Sequence, residues 1–178
     1  MSIRDSIPTD LPAILEIYND AVTHTTAVWN DVRVDLGNRA AWLADRQARG
    51  FPVLVAEAND GQVIAYASYG DWRAWPGYRH TVEHSIYVAS PYRGRGIGRA
   101  LLLALIGRAR GARKHVMIGG IEASNSASIC LHTSLGFETV ARLNQVGCKF
   151  GRWLDLVFMQ LTLDQLPAPP DHLNDITQ

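Results

Sequence analysis

The chain has 178 residues, 47% of them hydrophobic, and its 17 Lys and Arg balance 17 Asp and Glu. That length suits one domain with a real core, since a chain of about 150 residues hides roughly 68–70% of its unfolded surface. The zero net charge gives no global case for nucleic acid or membrane as a partner, and the longest apolar run, Ala100–Ile106, falls far short of the roughly 20 residues that span a bilayer. In chain order, Ile3-Arg4 ends a short first strand, and Thr9 or Asp10 is placed to cap a helix with Leu11, Ile14, Leu15, Tyr18 and Val22 on one face. Asp35 caps a second helix carrying Ala40, Trp42, Leu43 and Ala44, which Gly50 ends. Strands at Val53–Ala58 and Val63–Tyr69 flank Asn59-Asp60-Gly61, a turn that accepts positive φ. An aromatic and arginine-rich loop, Gly70–His80, leads to a strand at Thr81–Val88, which Ser90-Pro91 breaks. A helix from Arg99 to Ala109, a strand at His115–Ile121, a helix from Ser126 stopped by Gly136, and strands at Phe137–Val146 and Trp153–Leu163 complete the pattern. Pro167, Pro169 and Pro170 mark a disordered tail.

Lys114 and Lys149 are the only lysines. The arginine bias suits the planar gripping of phosphate or carboxylate, and equally a GC-rich coding sequence. Cys130 and Cys148 have no metal-ligand spacing and form no disulfide framework, so they read as reduced, packed thiols. Met1–Asp10 is polar and has no signal-peptide run, which points to a cytoplasmic protein.

The segment that carries chemistry is Ser85-Ile86-Tyr87-Val88 followed by Arg93-Gly94-Arg95-Gly96-Ile97-Gly98-Arg99. A strand, a glycine turn and a helix start bring unpaired N–H groups and the positive helix end to one place. Glycines clear the side chains that would block a phosphate, and three arginines add full charges. This is a diphosphate cradle. The spacing of Gly94, Gly96 and Gly98 differs from Gly-x-Gly-x-x-Gly, and no Gly-Lys-Ser/Thr follows, so neither a dinucleotide fingerprint nor a P-loop fits.

Arg93-x-x-Gly96-x-Gly98 after an apolar strand resembles the acetyl-coenzyme A signature of the GNAT superfamily of N-acetyltransferases. Asn125, Ala127, Leu131 and Leu135-Gly136-Phe137 resemble its second block. Ile17-Tyr18-Asn19, Trp29-Asn30, Gly70-Asp71-Trp72-Arg73, Thr81-Val82-Glu83-His84-Ser85 and Lys149-Phe150-Gly151-Arg152-Trp153-Leu154-Asp155 are similar to the bacterial phosphinothricin and methionine sulfoximine/sulfone N-acetyltransferases. That branch acetylates the α-amine of glutamate- or methionine-like amino acids. The resemblance implies an α/β GNAT fold over residues 1–166, with a mixed, largely antiparallel twisted sheet of about seven strands and about four helices. It implies acetyl-CoA as co-substrate, no metal, a small-molecule amine as acceptor, and a homodimer.

Residue by residue, the resemblance implies that the backbone of Ile86, Tyr87 and Val88 takes the pantetheine arm as an added strand. Arg93, Gly94, Arg95, Gly96, Ile97, Gly98 and Arg99 hold the pyrophosphate, and Asn125 and Ser134 lie lower on the arm. The N–H of Val88 is placed to stabilise an oxyanion. The amine must lose a proton before it attacks, and Glu83 is the first candidate base: it shares a strand face with Ser85 and Tyr87, and a carboxylate inside a central strand is costly without a partner or a task. Pairing with Arg79 is the structural alternative, and Glu122 is the second candidate. His84 points the other way, as a hydrogen-bonded core residue. His132 stands where the superfamily commonly has the tyrosine that protonates the leaving thiolate; an imidazolium suits that role, and transfer with no side-chain acid is the alternative. Nothing marks Cys130 as activated, so transfer is direct. Trp72, Arg73, Trp75, Pro76, Gly77 and Tyr78 are expected to shape the acceptor site, with arginine gripping carboxylate or sulfone oxygens. Phe150–Trp153 complete either the pocket or a dimer contact. A peptide N-terminal acetyltransferase of the same fold and a non-catalytic acetyl-CoA sensor are the competing functions.

Overall fold

A computed structural model describes residues 1–166 and 169; the expected tail disorder otherwise lies outside the described residues. The elements follow the order read from the sequence: β1 (Ser2–Asp5), α1 (Leu11–His24), α2 (Leu36–Ala48), β2 (Val53–Glu57), β3 (Val63–Asp71), β4 (Thr81–Val88), α3 (Ile97–Gly111), β5 (Val116–Glu122), α4 (Ser126–Thr133), β6 (Glu138–Lys149) and β7 (Arg152–Thr162). One seven-stranded sheet runs β1-β2-β3-β4-β5-β7-β6. Every neighbouring pair is antiparallel except β4 and β5, which α3 connects as a crossover.

Helix periodicity decides the layers. Leu101, Leu102, Leu105, Ile106 and Ala109 of α3 bury one stripe against Ala67, Val82 and Met117, while Ile14 and Ile17 of α1 pack on Val55, Val63 and Tyr66 across the sheet. Asp35 caps α2, its Oδ1 accepting the Asn38 N–H at 2.8 Å. Asp10 does not cap α1 with its side chain. Its carboxylate instead accepts from the Ile7 N–H and the Arg4 guanidinium. α3 begins at Ile97, two residues before the expected start, because Gly96 in the left-handed region serves as its N-cap. β6 runs past Val146 to Lys149 and turns through Phe150 and Gly151, with φ of 51° and 70°. Two consecutive positive φ values match the twist of a two-residue hairpin.

β4 and β5 pair only at Thr81 with Val116, Val82 with Met117 and Glu83 with Ile118. Beyond Glu83 the two strands part. The β5-facing edge of Ser85–Val88 therefore has no strand partner among the described residues.

Candidate active site

The turn after β4 is shaped for an anion. Gly94 and Gly96 hold φ of 75° and 78°, where a side chain is strained, and a Cβ on either would meet nothing within 4 Å. The Ala100 N–H reaches the Gly96 carbonyl at 3.1 Å, so the N–H groups of Ile97, Gly98 and Arg99 precede the helical ladder and stand at its positive end. Arg93 is drawn toward the protein: Nε donates to the Val88 carbonyl and Nη2 to Asp20, both at 3.0 Å. It braces the turn between β4 and α1. Arg95 lies over the Tyr92 ring at 5.4 Å, and Arg99 is exposed on the first turn of α3.

A cavity of about 820 Å³ fills the split between β4 and β5. It touches Gly94, Gly96 and Gly98, passes the open edge of Ser85–Val88, and reaches Thr26, Arg46, Glu83 and Glu122. An arm of about 180 Å³ shares Glu83 and Glu122 and is walled by Trp29, Trp72, Arg73, Leu156 and Phe158. Arg73 stacks on Trp72 at 3.8 Å, and Trp72 meets Phe158 edge-on at 5.0 Å. The loop between α1 and α2 forms the remaining wall. Buried Lys149 anchors it by donating to the carbonyls of Thr25 and Val28 at 2.8 and 2.5 Å. The Trp29 ring occupies the space that a Cβ on Gly147 would take.

Of the three carboxylates that line this cavity, Asp71 is bonded to Arg49, while Glu83 and Glu122 stand under opposite conditions. Glu83 reaches over Gly120, where a Cβ would stand 3.1 Å from its Oε1. Burial raises its pKa, opposed by the charge of Arg73. For Glu122 burial also acts upward, but the Ser124 hydroxyl at 2.6 Å, the Ser124 N–H at 3.0 Å and the Thr26 hydroxyl at 3.1 Å hold the pKa below its ordinary value. Glu83 is thus the stronger base and Glu122 the fixed anion, a division of roles set by environment.

His84 leaves β4 on the other face and meets His132 of α4, Nε2 to Nε2, at 3.1 Å. His132 Nδ1 lies 2.7 Å from the Ser128 carbonyl and must carry a proton to bond there, so in the neutral ring Nε2 accepts from His84. His84 Nδ1 is then buried without a partner among the described residues. Burial and the charge of His132 push the His84 pKa down to about 3, and burial lowers that of His132. Both rings are neutral at pH 7. In the unfolded chain His84 titrates near 6.5, so stability is unaffected above pH 6.5 and falls as the pH drops from 6.5 toward 3, by on the order of 4 kcal/mol. Urea titrations across that interval should show H84N losing less stability than the parent chain; identical losses would contradict the buried neutral ring.

Residues 12–137 match the Acetyltransferase (GNAT) family. The chain belongs to the GNAT acetyltransferase family. The L-methionine sulfoximine/L-methionine sulfone acetyltransferase of Pseudomonas aeruginosa is 57% identical over 169 residues, which are 95% of this chain and 98% of that one. The structure of a GNAT superfamily phosphinothricin acetyltransferase from Sinorhizobium meliloti in complex with AcCoA has a TM-score of 0.93 at 36% identity, covering 97% of this chain and 94% of that one. The structure of ribosomal-protein-alanine N-acetyltransferase from Brucella melitensis has a TM-score of 0.89 at 59% identity, covering 91% and 99%.

In this GNAT chain the fold gathers most of the residues singled out from the sequence. Ile86, Tyr87, Val88, Arg93, Gly94, Gly96, Ile97, Gly98 and Arg99 line the large cavity with Glu83, Ser85, Asn125 and His132. Asn125 also caps α4, its Oδ1 accepting the Ser128 N–H at 3.1 Å. Arg73 enters the small arm. Arg95 and Ser134 do not line either cavity, and the Ser134 hydroxyl donates to the Leu131 carbonyl at 2.7 Å. Trp75, Pro76, Gly77 and Tyr78 form an exposed turn outside both cavities, with Trp75 75% exposed. Phe150 and Trp153 are likewise exposed and outside. Cys130 and Cys148 are exposed free thiols, not packed ones, because α4 and β6 turn them to solvent. Arg46, Thr26, Leu156 and Phe158 had no local signal. They reach the site from α2, a loop and β7, and only the sheet register brings them there.

Proposed function

We propose that the protein transfers acetyl from acetyl-CoA to the α-amine of a small amino acid of the methionine sulfone, methionine sulfoximine or phosphinothricin type, by direct attack in a ternary complex. One observation carries this: the cavity that begins at the N-terminus of α3 ends at Glu83, a half-buried carboxylate of raised pKa. The turn suits a diphosphate, since its glycines leave open space and its helix-start N–H groups are unbonded donors. The open edge of β4 suits the amides of pantetheine, as a strand edge suits an added strand. Acetyl-CoA supplies the acyl thioester.

Glu83 accepts a proton from the acceptor ammonium, directly or through water. The freed nitrogen forms the C–N bond to the acetyl carbon, the C–S bond breaks with its electron pair leaving on sulfur, and the second proton of the nitrogen passes to that thiolate or to solvent, which leaves a neutral amide. Glu122, held ionised, favours entry of the ammonium. Glu83 then returns its proton to solvent. Burial lowers the His132 pKa and disfavours an imidazolium at pH 7, which supports departure of the thiolate without a charged side-chain acid. Arg73 on its aromatic wall suits a sulfone, sulfoximine or phosphinate oxygen. The exposed Val140, Leu143, Val146, Phe150 and Trp153 along β6 and β7 support a homodimer.

The name of the Brucella melitensis protein favours a second reading, N-acetylation of an alanine of a ribosomal protein. Favouring the first, the arm of about 180 Å³ between Trp29, Trp72 and Phe158 carries Arg73 and suits a short polar side chain. Comparing kcat/KM for L-methionine sulfone, L-methionine sulfoximine, phosphinothricin, lysine and an alanine-headed peptide separates the two. Roughly tenfold or greater preference for the first three is expected; a better peptide substrate selects the other function.

A further inference from the structure

The acceptor end of the cavity holds a cation that forms no salt bridge among the described residues. Arg46, on α2, lays its guanidinium over Gly70 of β3, where a Cβ would stand 2.7 Å from Cζ. Any side chain at 70 would expel it. Gly70 pairs in register with Glu83, and directly opposed residues of an antiparallel pair point to one face. The guanidinium therefore lies on the face of Glu83, on the β3 side, while Glu83 leans the other way over Gly120. Arg46, Gly70 and Glu83 all line the large cavity.

Arg46 forms no salt bridge among the described residues, and its charge is offset only at longer range by Asp45 and Asp71. Its Nε is buried and has no hydrogen-bond partner among the described residues. Asp71, the nearest carboxylate on β3, is bonded to Arg49, and Asp45 is exposed and faces Arg49 as well. The Phe51 ring, 5.7 Å from Cζ, offers a weak cation–π contact. Burial lowers the Arg46 pKa, the mark of a guanidinium deprived of water. Desolvated cations are costly unless an anion meets them.

We propose that Arg46 binds the α-carboxylate of the acyl acceptor, so that the chain selects amino acids with a free carboxyl group over amides, peptides and simple amines. This rests on the function proposed above and fixes the direction in which the acceptor lies. Its carboxylate meets Arg46, its ammonium meets Glu83, and its side chain extends past Glu83 into the arm of Trp72 and Arg73. The two charges of one zwitterion thus meet an opposed pair that does not satisfy itself: Arg46 and Glu83 form no salt bridge with each other. Peptide bonds replace the carboxylate with a neutral amide and leave the half-buried Arg46 without an anion, which turns a missing contact into a penalty.

The test compares L-methionine sulfone with its carboxamide as acceptors, with acetyl-CoA held saturating. Wild type should favour the acid in kcat/KM by on the order of 10–100-fold, the range of a charge-assisted pair. R46M should collapse that acid-to-amide ratio toward one, and G70A should lower it as well by expelling the guanidinium. R73M should keep the ratio while lowering kcat/KM for both acceptors. A wild type that uses acid and amide equally overturns the proposal, whatever the variants do. So does an R46M protein that keeps the wild-type ratio, or an R73M protein that alone loses it. A wild type that acetylates neither acceptor but does acetylate a peptide removes the proposed function, and the carboxylate site with it.

Discussion

Glu83→Gln should slow acetyl transfer by roughly 100-fold or more, the usual contribution of a positioned general base. The substitution keeps the shape of a side chain that fits over Gly120 and removes its proton-accepting oxygen. Affinity for acetyl-CoA should hardly change, because the cradle lies at the other end of the cavity. The pH dependence adds a second signature. A protonated Glu83 cannot accept a proton, so the wild-type rate should rise with pH through its ionisation. Burial places that limb above the ordinary carboxylate range. The glutamine variant should lack it. If Glu83 only held the ammonium, KM would rise while kcat stayed near normal. Separate values of kcat and KM across pH therefore distinguish the two roles, and a variant unchanged in both would exclude Glu83 from the site.

Gly96→Val should abolish most of the stabilisation that acetyl-CoA confers. Position 96 has φ of 78°, which costs a β-branched residue about 1–3 kcal/mol, and its side chain would project into the space kept open at the start of α3. A ligand that binds only the native state contributes about 2.7 kcal/mol at 100 times its Kd. In a domain of this size that raises Tm by roughly 5–10 °C. Measuring Tm with and without acetyl-CoA separates the two effects: backbone strain lowers both values, whereas lost binding removes their difference. An undiminished difference in the variant would show that the turn does not hold the pyrophosphate.

Much of this was legible in the sequence where chemistry and backbone requirement coincide. Gly94 and Gly96 announce the cradle because left-handed backbone and open space both demand glycine, while Gly98, inside the first turn of α3, packs near Leu131. Glu83 is legible because a carboxylate in a strand that alternates apolar residues calls for a reason. The aromatic loop is only half legible. Arg73 and Trp72 enter the site, but Pro76 and Tyr78 close a short turn that swings Trp75 into solvent. Composition alone does not say which way a loop folds back. His132 occupies a position the family pattern marks, yet its chemistry depends on His84, 48 residues away and buried against it. Arg46 is the furthest from sequence reasoning: on α2 it is one of two arginines, and it acquires meaning only through the missing Cβ of Gly70 on another element. Local motifs report backbone needs, while partners supplied by register and helix packing stay hidden.

The most direct measurement follows free thiol and acetylated product together after L-methionine sulfone is added to the protein in saturating acetyl-CoA. The expected result is one coenzyme A thiol for each N-acetylated α-amine, with no acetyl group left on the protein when the acceptor is omitted. Thiol release no faster than the hydrolysis seen without acceptor, or an acetylated cysteine formed from acetyl-CoA alone, would contradict direct transfer to an amino acid in this cavity.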